Sequence, residues 1–348
     1  METSRGLSGL ANLGNTCFMN SCIQVLNHIH ELQTLRLKYK FHHKNIPETQ
    51  VFLEWLALRD AMWETDGVYS PINLLRAIHT NAKLKKRDLF TGFAQNDMPE
   101  FLLFMIECLH TSICRPVVMR INGNQQTEKD DMAVRCYTML REVYTKEYSE
   151  IMELFYGIYV SEIVSEPSEK NVITRLSLKP EPFFILDLPL PVSYYSNAGR
   201  EIHLEECFDL FTKPEWLHGE NAWYNENTKQ YQNAHKRIVF WNLPRILIVA
   251  LKRFSPDGMR KLNNTVHFPV DHLDLSKYVI GYNEKSYVYE LFGVCNHMGN
   301  IMGGHYTSFV RTEQNEWVLF NDTSVMPVQS MSSSSQSAYC LFYRKKNK

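Results

Sequence analysis

The chain has no paired-cysteine motif. Its eight cysteines stand at positions 17, 22, 108, 114, 136, 207, 295 and 340, and no two are three residues apart. That excludes the Cys-x-x-Cys pattern of zinc and dithiol redox sites. Charge of one sign is also missing: 37 Lys plus Arg face 38 Asp plus Glu, a net charge of −1. A dedicated nucleic-acid binder would carry a basic surplus, so no nucleic-acid partner is expected. No apolar run approaches the ~18 residues of a membrane-spanning helix, so no membrane partner is expected either. Met1-Glu2-Thr3-Ser4-Arg5 leads into no apolar segment of the secretory kind. Reduced thiols in an intracellular setting, cytoplasmic or nuclear, are the expectation, for a cellular or a viral protein alike.

What is present is core-forming material. Of 348 residues, 44% are apolar and 22% charged, with 19 Phe, 18 Tyr and 6 Trp. At roughly 150 residues per domain this is two domains' worth of mass, or one large domain with insertions. No internal repeat is visible, and a monomer is the default. The first half reads as helix. Phe18, Cys22, Val25, Leu26 and Ile29 recur at helical spacing and predict a helix over Cys17–Leu32; Val51–Trp63 repeats the pattern. Ser70-Pro71 reads as an N-cap and first-turn proline opening a helix to Asn81. Asp97 and Glu100 read as a capping box on a helix to Ser112, and Met132–Ser149 as a further helix. Strands are predicted over 154–163, 183–190, 246–254, 287–296, 306–311, 316–321 and 339–344. Polar 122–131 and Ser-rich 331–337 read as loops, and the fold class as α+β.

Three positions carry chemistry. Cys17 follows Gly14-Asn15-Thr16 at a helix start, where free N–H groups favour a thiolate, the attacking form of a cysteine hydrolase. His305 follows Gly303-Gly304 and opens a strand. If that strand pairs with 316–321, Asn321 or Asp322 falls near His305 and can hold its second ring nitrogen. The order Cys, His, Asn/Asp recurs in papain-like proteases. The glycines at 299, 303 and 304 suggest that the loop 296–304 moves.

Longer blocks then coincide. Gly9-Leu10-Ala11-Asn12-Leu13-Gly14-Asn15-Thr16-Cys17-Phe18-Met19-Asn20-Ser21 resembles the Cys box of the ubiquitin-specific protease family. Gly303-Gly304-His305-Tyr306-Thr307, with Trp317 and Phe320-Asn321-Asp322, resembles its His box. Gln95-Asn96-Asp97-Met98-Pro99-Glu100-Phe101-Leu102, Leu243-Pro244-Arg245-Ile246-Leu247 with Leu251-Lys252-Arg253-Phe254, and Val266-His267-Phe268-Pro269 resemble further family segments, in family order.

The resemblance implies a papain-like cysteine protease with thumb (about 6–150), fingers (about 151–245, interleaved with the palm) and palm (about 175–345), followed by a basic tail at 346–348. It implies a deubiquitinating thiol protease acting on ubiquitin or ubiquitinated proteins. Cys17 would be nucleophile, His305 general base and acid, Asn321 the third catalytic residue with Asp322 able to share that role, and Asn12 a side-chain oxyanion donor. Asp97, Glu100 and Tyr306 match positions along the path of ubiquitin's C-terminal tail. Most family members hold a structural zinc on two Cys-x-x-Cys pairs in the fingers. Here Ser165, Ser168, Asn225 and Thr228 stand at those positions, which is no tetrahedral zinc set, so neither metal nor other cofactor is expected. The altered fingers leave two rivals: a ubiquitin-binding module without catalysis, and a protease for a ubiquitin-like modifier.

Overall fold

The computed structural model describes residues 6–36, 41–92, 94–166, 174–193, 199–255, 257, 259–300 and 302–346. Eight α-helices are formed among them: α1 (Cys17–Asn27), α2 (His30–Arg36), α3 (Pro47–Glu64), α4 (Ile72–Leu84), α5 (Met98–Ile113), α6 (Glu128–Glu147), α7 (Glu150–Phe155) and α8 (Leu204–Thr212). Every residue of α1 is buried, as befits a helix enclosed on all sides. It lies between α5 and the strand Gly303–Arg311, so one central helix joins the helical part to the sheet.

That sheet runs in the order Ser324–Val328, Trp317–Asn321, Gly303–Arg311, Val288–Asn300, Ala338–Lys345, Ile246–Lys252 and Ile185–Pro189, with Leu273–Asp274 added beside Val288–Asn300. Only the Ile185–Pro189 pairing is parallel. Ile246 to Leu251 are buried without alternation, because both sheet faces are covered. Phe292, Cys295 and Phe342 join the helical core on one face. Leu291, Val294 and Tyr343 join Phe208 of α8 in a second core on the other.

A separate antiparallel sheet pairs Arg175–Phe183, Gly157–Ser165, Ala234–Asn242 and Glu215–Leu217. The buried Glu162 carboxylate accepts from Arg175 and Arg237 on its two neighbouring strands and ties the three together.

Several expectations need correction. The helix predicted to Leu32 breaks after Asn27, where the His28 ring turns back to Gln24 O at 2.7 Å, and α2 follows. The helix predicted to open at Ser70-Pro71 starts at Ile72 with Pro71, not Ser70, at the cap. The polar stretch 122–131 is not all loop: Thr127 Oγ1 accepts from Asp130 N at 3.2 Å, the Asp130 carboxylate accepts from Thr127 N at 2.9 Å, and this capping box starts α6 at Glu128. The strand predicted from 154 begins at Gly157, because α7 runs to Phe155. The strand Arg175–Phe183 escaped prediction because Pro180 and Pro182 argue against a strand; it is a sheet edge, where proline is tolerated. The Ser-rich stretch contains the strand Ser334–Ser335, paired with Val266–His267. The loop expected over 296–304 is a ladder, with Gly299 opposite Gly304 and Asn300 opposite Gly303; Ile301 lies outside the described residues.

The chain's first strand, Gly9–Leu10, crosses close over the turn after Trp317–Asn321. A Cβ on Gly9 would lie 2.4 Å from the Thr323 carbonyl oxygen. Backbone faces backbone there, so the contact cannot relax by a side-chain rotation. Gly9→Ala is expected to destabilise the protein by about 1–3 kcal/mol, read as a lower Tm in thermal unfolding.

Candidate active site

Cys17 is the first residue of α1. The loop before it is folded by Asn12, whose Oδ1 accepts from Gly14 N and Thr16 N, each at 3.1 Å, while Thr16 Oγ1 accepts from Leu13 N at 2.9 Å. Gly14 and Asn15 take φ of +94° and +57°, the left-handed region that Gly and Asn tolerate best. The expected low thiol pKa is not found. Burial pushes the Cys17 thiol up and the Asp322 charge adds to this, outweighing N–H groups of Tyr306, Phe18 and Cys17 itself. Both effects favour the protonated thiol, and Cys17 is 3% exposed.

His305 lies on Gly303–Arg311, and its Nε2 stands 2.6 Å from Asn321 Oδ1. That contact assigns the proton to Nε2 and leaves Nδ1 as the basic nitrogen. The two candidate orienting residues divide here. Asn321 meets His305, while Asp322 accepts from Asn20 Nδ2 at 2.8 Å and Asn12 Nδ2 at 2.9 Å. The Asn12 amide, expected to face an oxyanion, therefore donates to Asp322 in this state.

A cleft of about 550 Å³ is lined by Gln95, Asp97, Phe254, His297, Tyr306 and Tyr339, among others. Asp97 caps α5 by position, but its side chain makes no capping bond, so the predicted capping box does not form. Its carboxylate is drawn instead to the cleft, where Tyr306 Oη donates to Oδ1 at 3.2 Å and Tyr339 donates as well. Burial pushes the Asp97 carboxyl up to about 6 against these bonds, and the charge on exposed Glu100 adds to the rise.

Three cleft residues were missed by sequence reasoning. Gln95 holds Gly304 through both amide atoms, at 2.7 and 2.9 Å; it stood inside a quoted motif but carries no titratable group. His297 is buried, its Nδ1 has no hydrogen-bond partner among the described residues, and burial lowers its pKa to about 4. Tyr339 comes from the last strand of the sheet, and no local pattern marks it.

Among the described residues no group of three His, Cys, Asp or Glu is placed to hold a metal. Of the positions aligned with family zinc ligands, Ser165 Oγ accepts from Thr174 N at 2.9 Å and Asn225 Oδ1 accepts from Asn227 N at 2.9 Å and Thr228 N at 3.4 Å. Ser168 lies outside the described residues.

Residues 8–343 match the family described as Ubiquitin carboxyl-terminal hydrolase. The chain belongs to this family. Human ubiquitin carboxyl-terminal hydrolase 2 is 34% identical over 354 residues, taking in 98% of this chain and 56% of that protein. Mouse ubiquitin carboxyl-terminal hydrolase 21 is 31% identical over 366 residues, 97% of this chain and 62% of that protein. The chain thus spans about half the length of the curated relatives it matches. A chain of the yeast SAGA DUB module shares the fold with a TM-score of 0.69 at 25% identity, over 100% of this chain and 70% of that one. The expected α+β, papain-like thumb, palm and fingers architecture is therefore that of this chain. No described helix is long and apolar enough to cross a membrane.

The Asp97 environment gives a signed pH dependence. The folded carboxyl keeps its proton up to about pH 6, whereas the unfolded one releases it near its ordinary value of 3.8. Between these values the folded state binds more protons, so stability falls as pH rises through the window. Asp97→Asn cannot ionise. Its Tm is expected to match the unsubstituted protein near pH 4 and to exceed it above pH 6.

Proposed function

We propose that the chain is a thiol hydrolase cleaving the isopeptide or peptide bond after the C-terminal glycine of ubiquitin. The observation that carries this reading is the seam at Cys17. The neighbours of His305 are both tied to the thiol, one directly and one through Gln95: the Tyr306 N–H bonds it, and the Gln95 amide that clamps Gly304 lies 3.9 Å from Sγ. In this reading His305, between those two residues and bonded to Asn321, faces the Cys17 thiol. Family membership and the likeness to the SAGA DUB module support the same reaction.

In this reading the helical part is the thumb, the large sheet the palm and the Glu162-bridged sheet the fingers. Tail glycines enter along the cleft, and basic tail groups meet Asp97 and Glu100 while Tyr306 packs on the chain. His305 Nδ1 takes the Cys17 proton, since the thiol is not ionised beforehand. The sulfur attacks the glycine carbonyl, and the Cys17 N–H and Asn12 amide receive the oxyanion, for which Asn12 turns from Asp322. His305 gives its proton to the departing amine, leaving a thioester. Water, deprotonated by His305, then releases ubiquitin and restores the thiol. All eight cysteines are free thiols, which suits a reducing cytoplasmic or nuclear setting.

The test is release of a fluorophore from the C-terminus of full-length ubiquitin. Turnover is expected, with none from Cys17→Ala and a loss on the order of 10²–10⁴-fold in kcat from Asn321→Ala. Ubiquitin binding without turnover would replace this reading by a binding module. Neither binding nor turnover, with cleavage of a ubiquitin-like substrate, would replace the substrate.

A further inference from the structure

Gln95 stands between the nucleophile and the base. Its Nε2 donates to Gly304 O at 2.7 Å, its Oε1 accepts from Gly304 N at 2.9 Å, and the same Nε2 lies 3.9 Å from Cys17 Sγ. The reason for this double bond is in the sheet. Pairing of Gly303–Arg311 with Trp317–Asn321 runs from Arg311↔Trp317 only to Ser308↔Phe320. Gly304 lies past its end, and its backbone N–H and C=O have no strand on that side. The Gln95 carboxamide supplies both a donor and an acceptor, as a peptide of a neighbouring strand would. On its other side Gly304 is packed too closely for any side chain: a Cβ there would lie 2.3 Å from His297 Nε2 and 2.5 Å from Met298 O. The residue before the base is thus held between the His297 ring and the Gln95 amide.

We propose that Gln95 is a positioning residue of this hydrolase, clamping Gly304 across the seam and so fixing His305 relative to Cys17. The proposal rests on Cys17 and His305 acting as nucleophile and base. The clamp acts on the chemical step, because a displacement of about 1 Å at reacting groups costs about a hundredfold in rate. Glu is nearly the same shape as Gln, but it replaces the donor facing Gly304 O by a charged acceptor. It also sets a negative charge beside the thiol. The groups already facing that thiol are Asp322 from the turn after Trp317–Asn321, Tyr306 from the strand Gly303–Arg311, the Phe18 N–H within α1, Gln95 itself and, in the reading on which this rests, the His305 imidazole. A carboxylate at 95 adds to the effect of Asp322 and favours the protonated thiol.

The experiment compares the unsubstituted protein, Gln95→Glu and Gln95→Ala in two assays, after thermal unfolding has shown which variants fold. The first is steady-state release of the fluorophore from ubiquitin. The second is the pH dependence of Cys17 alkylation by iodoacetamide, with Cys17→Ala as blank. The expected result is a kcat lower by about 10–100-fold in both variants, with KM within about threefold of the unsubstituted value. The alkylation midpoint is expected to rise by about one pH unit in Gln95→Glu alone. If Gln95→Glu does not fold, Gln95→Ala carries the kcat comparison. Unchanged kcat in the folded variants, or a rise in KM alone, overturns the proposal, the latter making Gln95 a tail-binding residue. An unsubstituted protein that does not turn over ubiquitin overturns the hydrolase reading instead; the alkylation midpoint then still decides whether residue 95 governs the thiol.

Discussion

Asp322 is the joint on which the site depends. Its carboxylate holds Asn12 from the loop before Cys17 and Asn20 from within α1, and its own carbonyl accepts from Leu10 N at 2.8 Å. Three pieces of the helical part are thus fastened to one turn of the sheet. Asn20 is buried and also donates toward the Leu10 and Ala11 carbonyls, so loss of the carboxylate would leave a buried amide short of an acceptor, which costs about 1–3 kcal/mol. Asp322 itself sits at φ +46°, a backbone state in which Asp is better tolerated than most residues. The wall that carries Cys17 and the wall that carries His305 are therefore one hydrogen-bonded unit at this end of the seam, and Gln95 fastens it at the other.

Legibility followed the range of the signal. Cys17, His305 and Asn321 could be read because each sits in a local pattern and the hairpin joins the last two with few residues between. The buried strand Ile246–Lys252 and the last strand could be read because unbroken apolar runs show directly in the sequence. The fingers sheet was harder. Arg175–Phe183 and Ala234–Asn242 mix burial and exposure, and they are joined through long-range pairing with Gly157–Ser165 and the ion pairs of Glu162. The same limit hid Tyr339 and His297, whose roles exist only once distant strands enclose the cleft. The separate fates of Asn321 and Asp322 were equally hidden: they are adjacent in sequence, but Asn321 ends its strand while Asp322 enters the turn at φ +46°, and their side chains go to different partners.

Two local rules failed for one physical reason. Helix-terminal N–H groups should favour a Cys17 thiolate, and an N-cap aspartate should stay ionised and cap its helix. Burial outweighs both: the thiol is pushed up despite three N–H groups, and Asp97 leaves its cap for two tyrosine hydroxyls and still holds its proton up to about pH 6. His297 obeys the same pressure from the other side, its imidazole driven towards the neutral form. The cleft thus has little charge near its ordinary values before anything enters it. A basic chain laid along it would change that balance, since a cation beside Asp97 favours the carboxylate. A carbonyl seated against the Cys17 N–H group would likewise give the developing oxyanion the donors that a resting thiolate does not hold on to. Desolvation that suppresses charge in the empty site is the same desolvation that strengthens each ion pair formed within it. In the reading proposed here, ionisation of the nucleophile waits for substrate, and the energy for it comes from the contacts that the tail makes.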